Sequence, residues 1–207
     1  GGMRPGFLCG VAAMADERQD LKPATRMVHA GTTRSAFGET SEAMFLTQGF
    51  VYDSAEAAEA RFKGDDPGFV YSRYANPTVE MFEQRMCALE GAEAARATAS
   101  GMAAVAASIL CQVSAGDHVI AARALFGSCR WIVEQLLPRY GVETTLVDGT
   151  DPKAWERAVK PNTKLFFAES TANPLADILD VPAVAAVAHE AKVPFVVDNT
   201  VPTAALI

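Results

Sequence analysis

The sequence predicts an α/β fold: a mostly parallel sheet with helices on both faces, preceded by an extended N-terminal arm. Two observations carry that reading. From Ala94 onward, short apolar runs alternate with helix-like stretches at least four times, with no internal repeat. The last apolar run, Phe195-Val196-Val197, leads straight into Asp198, Asn199 and Thr200. That is the pattern of a buried parallel strand delivering a carboxylate to its C-terminal end, the rim at which open α/β sheets keep their ligands. Alternation of this kind favours parallel strands joined by helical crossovers.

Taken in order, residues 1–20 read as a mobile arm whose short apolar patch is too weak for a signal peptide. Residues 21–70 carry few periodic signals and are expected to be extended with turns. Within them Ser54 is placed to cap a short helix, AEAAEARF, and Gly64-Asp65-Asp66-Pro67-Gly68 is a turn cluster. Regular structure starts at Pro77: Val79, Phe82, Met86 and Leu89 recur at helical spacing and stop at Gly91, a C-cap. Ala94–Ala97 reads as a short strand, and a helix of small and apolar residues follows from Ala103 to about Val113. Asp117–Ala122 reads as a strand, with a helix from the Leu125-Phe126-Gly127-Ser128 junction to Leu137. Val142–Val147 is a strand, Asp151-Pro152 caps a helix through Val159, Lys164–Ala168 is a strand, and Val181–Lys192 is the helix before the final strand. The domains read as an arm with its short helix, residues 1–75, and a larger α/β domain, residues 76–207. The sequence stops in an apolar segment just after a core strand, and the expectation is that a longer polypeptide continues.

Composition narrows the function classes. The chain has 207 residues, half of them hydrophobic, enough for one sizeable core. Its net charge is −7 and it has no Lys/Arg run, which argues against nucleic acid or an anionic membrane as partner. No apolar run approaches the roughly 18 residues of a membrane span. The four cysteines, Cys9, Cys87, Cys111 and Cys129, lack CxxC spacing, as expected of a reduced cytoplasmic protein. His29, His118 and His189 are scattered, so no metal site is expected.

Several stretches could carry chemistry, each with a plainer alternative. Ser100-Gly101-Met102 opens a helix, where free N–H groups and the positive dipole end suit a phosphate; close helix–sheet packing explains it equally. Neither GxGxxG nor GxxxxGK[ST] occurs, which disfavours a dinucleotide or P-loop nucleotide. Phe126 at a strand-to-helix junction could stack on a flat heterocycle, although a lone Phe is usually core. Asn173-Pro174 is usually a turn. Tyr71 and Arg73 suit a phosphate, or form a solvated surface pair. Asp198 alone reads first as a turn or N-cap aspartate. Together they ask for a ligand with one phosphate, a planar ring and a basic ring nitrogen, and pyridoxal 5′-phosphate meets all three demands.

YSRYANPT, ASGMAA, the LFGS junction, ES-x-x-NP and VVDNT follow one another between Thr25 and Thr203. In that order the chain resembles the trans-sulfuration (cystathionine γ-synthase-like) family of fold-type I pyridoxal phosphate enzymes. The arm TRMVHAGTTRSAFGETSEAMFLTQGFVYDSAEAAEARF, the stretch RALFGSCR and LPRYGVE look like the branch that acts on O-succinylhomoserine. The resemblance implies that Asp198 pairs with the pyridinium nitrogen and Phe126 stacks on the ring. It further implies that Gly101 and Met102 give N–H groups to the phosphate and that Asn173 bonds the phenolic oxygen. By the same likeness Tyr71 and Arg73 complete a neighbour's phosphate site across a homodimer, two dimers forming a tetramer. Thr200 is the remaining cofactor-binding candidate, in a segment that departs from the family: NTVPTAA stands where NTFATP or NVFATP is typical, and Thr171 replaces a common proline. The implied reaction is γ-replacement in methionine biosynthesis: sulfide takes the place of succinate on O-succinyl-L-homoserine to give L-homocysteine. Cystathionine γ-synthase or γ-lyase chemistry and a non-catalytic fragment of the fold are the alternatives. The family's Schiff-base lysine is expected beyond Ile207, so no catalytic residue is assigned within the sequence.

Overall fold

The computed structural model describes residues 21–204 and 206, and the arm expected over residues 1–20 lies outside them. The chain divides into two compact units, one ending at Ala97 and one beginning at Thr98.

The first unit contains α1 (Pro23–His29), α2 (Ala55–Lys63) and α3 (Pro77–Glu90). The segment expected to be extended therefore holds a helix, α1, too short to show a period in the sequence. Ser54 caps α2 by accepting the Ala57 N–H, and Gly64 ends it in the left-handed conformation (φ 80°). Asn76 caps α3, whose C-cap is Gly91 (φ 62°). The arm is pinned to α3 by cations and an amide. Arg85 donates to the Ala30 carbonyl at 2.9 Å, Arg26 to the Ala88 carbonyl at 3.1 Å, and Asn76 to the Phe45 carbonyl at 2.9 Å. Gly31 (φ 72°) crosses α3 so closely that a Cβ would meet the Met81 carbonyl oxygen at 2.6 Å. Ala94–Ala97 is not a strand; the Ala97 N–H instead donates to the Glu83 carboxylate at 2.8 Å.

The second unit is the α/β domain: α4 (Gly101–Leu110), β1 (His118–Ala122), a helical run, β2 (Glu143–Val147), α7 (Pro152–Ala158), β3 (Thr163–Glu169), α8 (Val181–Glu190) and β4 (Phe195–Asp198). The helical run after β1 comprises α5 (Gly127–Trp131), a π-helical turn (Ile132–Leu136) and α6 (Leu137–Arg139). In the π turn the Leu137 N–H reaches back five residues to the Ile132 carbonyl. Pro138 follows without an N–H of its own, and a widened turn is how a helix absorbs such a residue.

All strand pairs are parallel and the sheet order is β2-β1-β3-β4. The chain moves one way from β1 to β2 and the other way to β3 and β4. Right-handed crossovers then put α5 and α6 on one face and α7 and α8 on the other. The packing agrees: α7 lies against α8 and β2, and α4 against α5 and β4. The central strands have apolar middles, with Val119, Ile120, Leu165, Phe166 and Phe167 fully buried, as expected of parallel strands covered on both faces. Trp155 of α7 packs on Phe166 at 5.2 Å between ring centres. The order reverses between β1 and β3, so the loops leaving their C-terminal ends flank the switch point of the sheet.

Candidate functional site

Strand register brings Glu169 of β3 opposite Asp198 of β4, at the rim the sequence singled out. Asp198 is half-buried, as is all of β4. Its Oδ1 accepts the Thr200 N–H at 3.0 Å, the local turn anticipated for an Asp after a strand. Its Oδ2 faces the Cys129 thiol, the S–H donating over 4.0 Å. Thr200 is thus tied to Asp198 through its backbone, while its side chain is exposed.

Glu169 is buried, and both its oxygens are used. Oε1 accepts the Phe126 N–H at 2.6 Å and Oε2 accepts the Asn173 N–H at 3.0 Å. The next residue, Ser170, donates from Oγ to Asn199 Oδ1 at 2.7 Å. One carboxylate therefore joins the loop after β1 to the loop after β3. Phe126 itself is 44% exposed: its backbone is held while its ring stands free of the core. Asn173 also presents an exposed side chain.

Cys129, Glu169 and Asp198 place their thiol and carboxylate atoms within 4.8 Å of one another. Burial pushes the Cys129 thiol up to about 12, and the Glu169 and Asp198 carboxylates add to the shift. A thiol so placed stays protonated and acts as a donor. Beyond the rim, a cleft of about 330 Å³ is lined by Arg123, Asp148, Glu169 and Leu179, among others.

Ser100 caps α4 by accepting the Ala103 N–H at 3.2 Å. The N–H groups of Gly101 and Met102 have no acceptor among the described residues. A Cβ at Gly101 would meet open space, so an anion could reach the backbone. Helix α4 packs against β4, the strand that ends at Asp198, and against α5, the helix that follows Phe126. Tyr71 and Arg73 lie in the first unit, where the Arg73 guanidinium covers the Tyr71 ring at 5.5 Å and the Tyr74 ring at 5.0 Å.

In the second unit Glu169 links Phe126 to Asn173 and lies opposite Asp198, which holds Thr200, while Gly101 and Met102 open α4, the helix packed against α5 and β4. Sequence reasoning missed Glu169, Ser170 and Cys129. The first two stood in view inside ES-x-x-NP, and the overlooked signal was a charged residue directly following an apolar strand core.

Such a set of groups (a helix start with N–H groups free among the described residues, an exposed ring, and a carboxylate oxygen facing a thiol) suits a phosphorylated aromatic cation. The donor set is that of a coenzyme-binding α/β domain. The family model for Cys/Met metabolism PLP-dependent enzymes matches residues 24–207, and the chain belongs to that family. It is 50% identical over 183 residues to the O-succinylhomoserine sulfhydrylase of Mycobacterium tuberculosis, a match covering 88% of this chain and 45% of that one. To the O-acetyl-L-homoserine sulfhydrylase of Corynebacterium glutamicum it is 46% identical over 187 residues, 88% of this chain and 42% of that one. Among solved structures, a Campylobacter jejuni protein described as an O-acetylhomoserine (thiol)-lyase, with N′-pyridoxyl-lysine-5′-monophosphate, superposes with a TM-score of 0.85 at 28% identity. That superposition covers 89% of this chain and 46% of the other. The chain spans about half the length of the curated relatives it matches. Among the described residues no helix is long and apolar enough to cross a membrane.

Proposed function

We propose that this chain forms the coenzyme-binding part of a pyridoxal 5′-phosphate enzyme that exchanges the succinyl group of O-succinyl-L-homoserine for sulfide, yielding L-homocysteine and succinate in methionine biosynthesis. The observation that carries the reading is the half-buried Asp198 carboxylate at the end of β4, in register with the Glu169 that holds the Phe126 backbone, in a chain half identical to an O-succinylhomoserine sulfhydrylase. When bound, the coenzyme supplies an electron sink for carbanions at the substrate carbons.

The chain's own residues hold and tune that group. The Gly101 and Met102 N–H groups receive its phosphate at the positive end of α4. Phe126 covers one face of the ring, and the Asn173 side chain bonds the phenolic oxygen. Asp198 Oδ2 keeps a proton on the ring nitrogen, with the Cys129 thiol and the Thr200 N–H fixing the carboxylate's orientation. Tyr71 and Arg73 reach the phosphate of a second copy, so the working assembly is a homodimer, paired into a tetramer, in the cytoplasm.

The test is a full-length assay of sulfide against cysteine as acceptor, with O-succinyl- and O-acetylhomoserine as donors. Sulfide with the succinyl donor is expected to give homocysteine fastest. Preference for cysteine would instead assign cystathionine γ-synthase chemistry. Replacing Asp198 with Ala is expected to lower kcat/KM by about a hundredfold or more with the circular dichroism of the fold unchanged; full activity in Asp198→Ala would remove its assigned role.

A further inference from the structure

Glu169 is 6% exposed at the C-terminal end of a strand that is otherwise apolar over Leu165–Ala168. A carboxylate is costly in such surroundings unless donors surround it. Here the donors are two backbone N–H groups from two different loops, Phe126 at 2.6 Å and Asn173 at 3.0 Å. Charge-assisted hydrogen bonds of this kind are about twice as strong as neutral ones. The loops they tie leave β1 and β3, the two strands between which the sheet order reverses. The tie is not required by the closure of the loop after β3. The loop after β3 closes through the Ala172 N–H to the Asp177 carbonyl at 2.9 Å, the Ala176 N–H to the Ala172 carbonyl at 2.7 Å, and a bridge between Thr171 and Ile178.

From this geometry we infer that Glu169 is the positioning residue of the site, a clasp whose two oxygens set the distance between the ring-covering Phe126 and the side chain of Asn173. The inference rests on the coenzyme reading for what Phe126 and Asn173 touch; the clasp itself rests on the two hydrogen bonds. Glu169 has both carboxylate oxygens taken by these two N–H groups. It acts through two backbone atoms, and it does so with both oxygens at once. Gln has the same length but presents one N–H₂ group, which must face one of the two N–H donors. Asp keeps the charge but is one methylene too short to span both loops.

The experiment uses the full-length protein as wild type, Glu169→Gln and Glu169→Asp, with melting temperature and far-ultraviolet circular dichroism as controls for folding. Residue-resolved hydrogen exchange follows the Phe126 and Asn173 amides without ligand. Pyridoxal 5′-phosphate titration then reads affinity and the circular dichroism induced in its visible band, a signature of ring orientation that a merely structural role would leave unmoved. In both variants at least one of the two amides is expected to exchange about ten to a hundred times faster, while Ile120 and Phe166 keep their protection. The induced band is expected to weaken with the loss of affinity. Unchanged exchange at both amides in both variants would overturn the clasp. Faster exchange with an unchanged induced band would overturn its positioning role. A wild-type protein that protects both amides but takes up no pyridoxal 5′-phosphate would overturn the proposed function, and with it the coenzyme half of this inference, while leaving the clasp established.

Discussion

At the scale of single residues, Asp198 was legible because an acid ending a Val-Val run is conspicuous, and the structure sets it at the rim of β4. Glu169 ends an apolar run in the same way, but what it meets, and what Cys129 meets, is set by distant chain. Glu169 meets the backbone of a residue 43 positions away and Cys129 the carboxylate of one 69 positions away. No local pattern in KLFFAES or LFGSCR encodes either meeting. Cys129 gives a direct check on this nest of carboxylates. Its thiol, raised to about 12, holds only about one part in ten thousand of thiolate at pH 8. Cys111 is exposed. Iodoacetamide followed by peptide mass mapping is therefore expected to modify Cys111 within minutes and to leave Cys129 intact until the protein unfolds. Equal labelling of the two in the folded protein would show that Cys129 is neither buried nor held protonated beside Glu169 and Asp198.

At the scale of elements, β1 to β4 emerged from the sequence to within a residue at each end, because their short length and the turn residues between them favour strands over helices. The failures have physical causes too. Ala94–Ala97 lacks large apolar side chains, and its last N–H is taken by Glu83 rather than a strand partner. In α3 the period pointed to Val79 and Phe82, yet these are 40% and 54% exposed while Met81 is buried; the arm crosses a different face from the one the period marks. His118 went unassigned, and it turns out to knit three strands. Its ring nitrogens pair with Thr163 of β3 at 2.9 Å and Thr145 of β2 at 2.8 Å. Burial lowers its pKa from the ordinary 6.5, and the Lys160 ammonium lowers it further against a smaller opposing effect of Glu143. With the folded pKa below the unfolded one, the unfolded chain binds more protons in between. The stability that His118 confers is thus fully present above about pH 6.5 and is lost as the pH falls below it. Thermal melts from about pH 8 to about pH 5 are expected to show a steeper acid loss in the wild type than in His118→Gln, which cannot titrate; parallel curves would refute the assignment.

At the scale of the whole molecule, the residues proposed for one coenzyme are divided between two compact units of the chain: Tyr71 and Arg73 lie before Ala97, and Gly101, Met102, Phe126, Asn173, Asp198 and Thr200 lie after it. Sequence order could place these residues near a common ligand only through the family resemblance, since nothing in composition or spacing says which copy of the chain a residue serves. The proposed division of labour across a dimer can be tested by complementation between two full-length variants, Arg73→Ala and Asp198→Ala. Each variant alone is expected to be crippled, the first in gripping phosphate and the second in holding the ring proton. In a mixed dimer, the chain with native Asp198 receives its Arg73 from the Asp198→Ala partner, so one site regains every contributor while the other carries both defects. Random co-assembly from equal co-expression makes half the dimers mixed, and about a quarter of wild-type activity should return in the pool. If each chain instead completed its own site with its own Arg73, every site in the pool would carry one defect, and the activity would stay at the mean of the two variants.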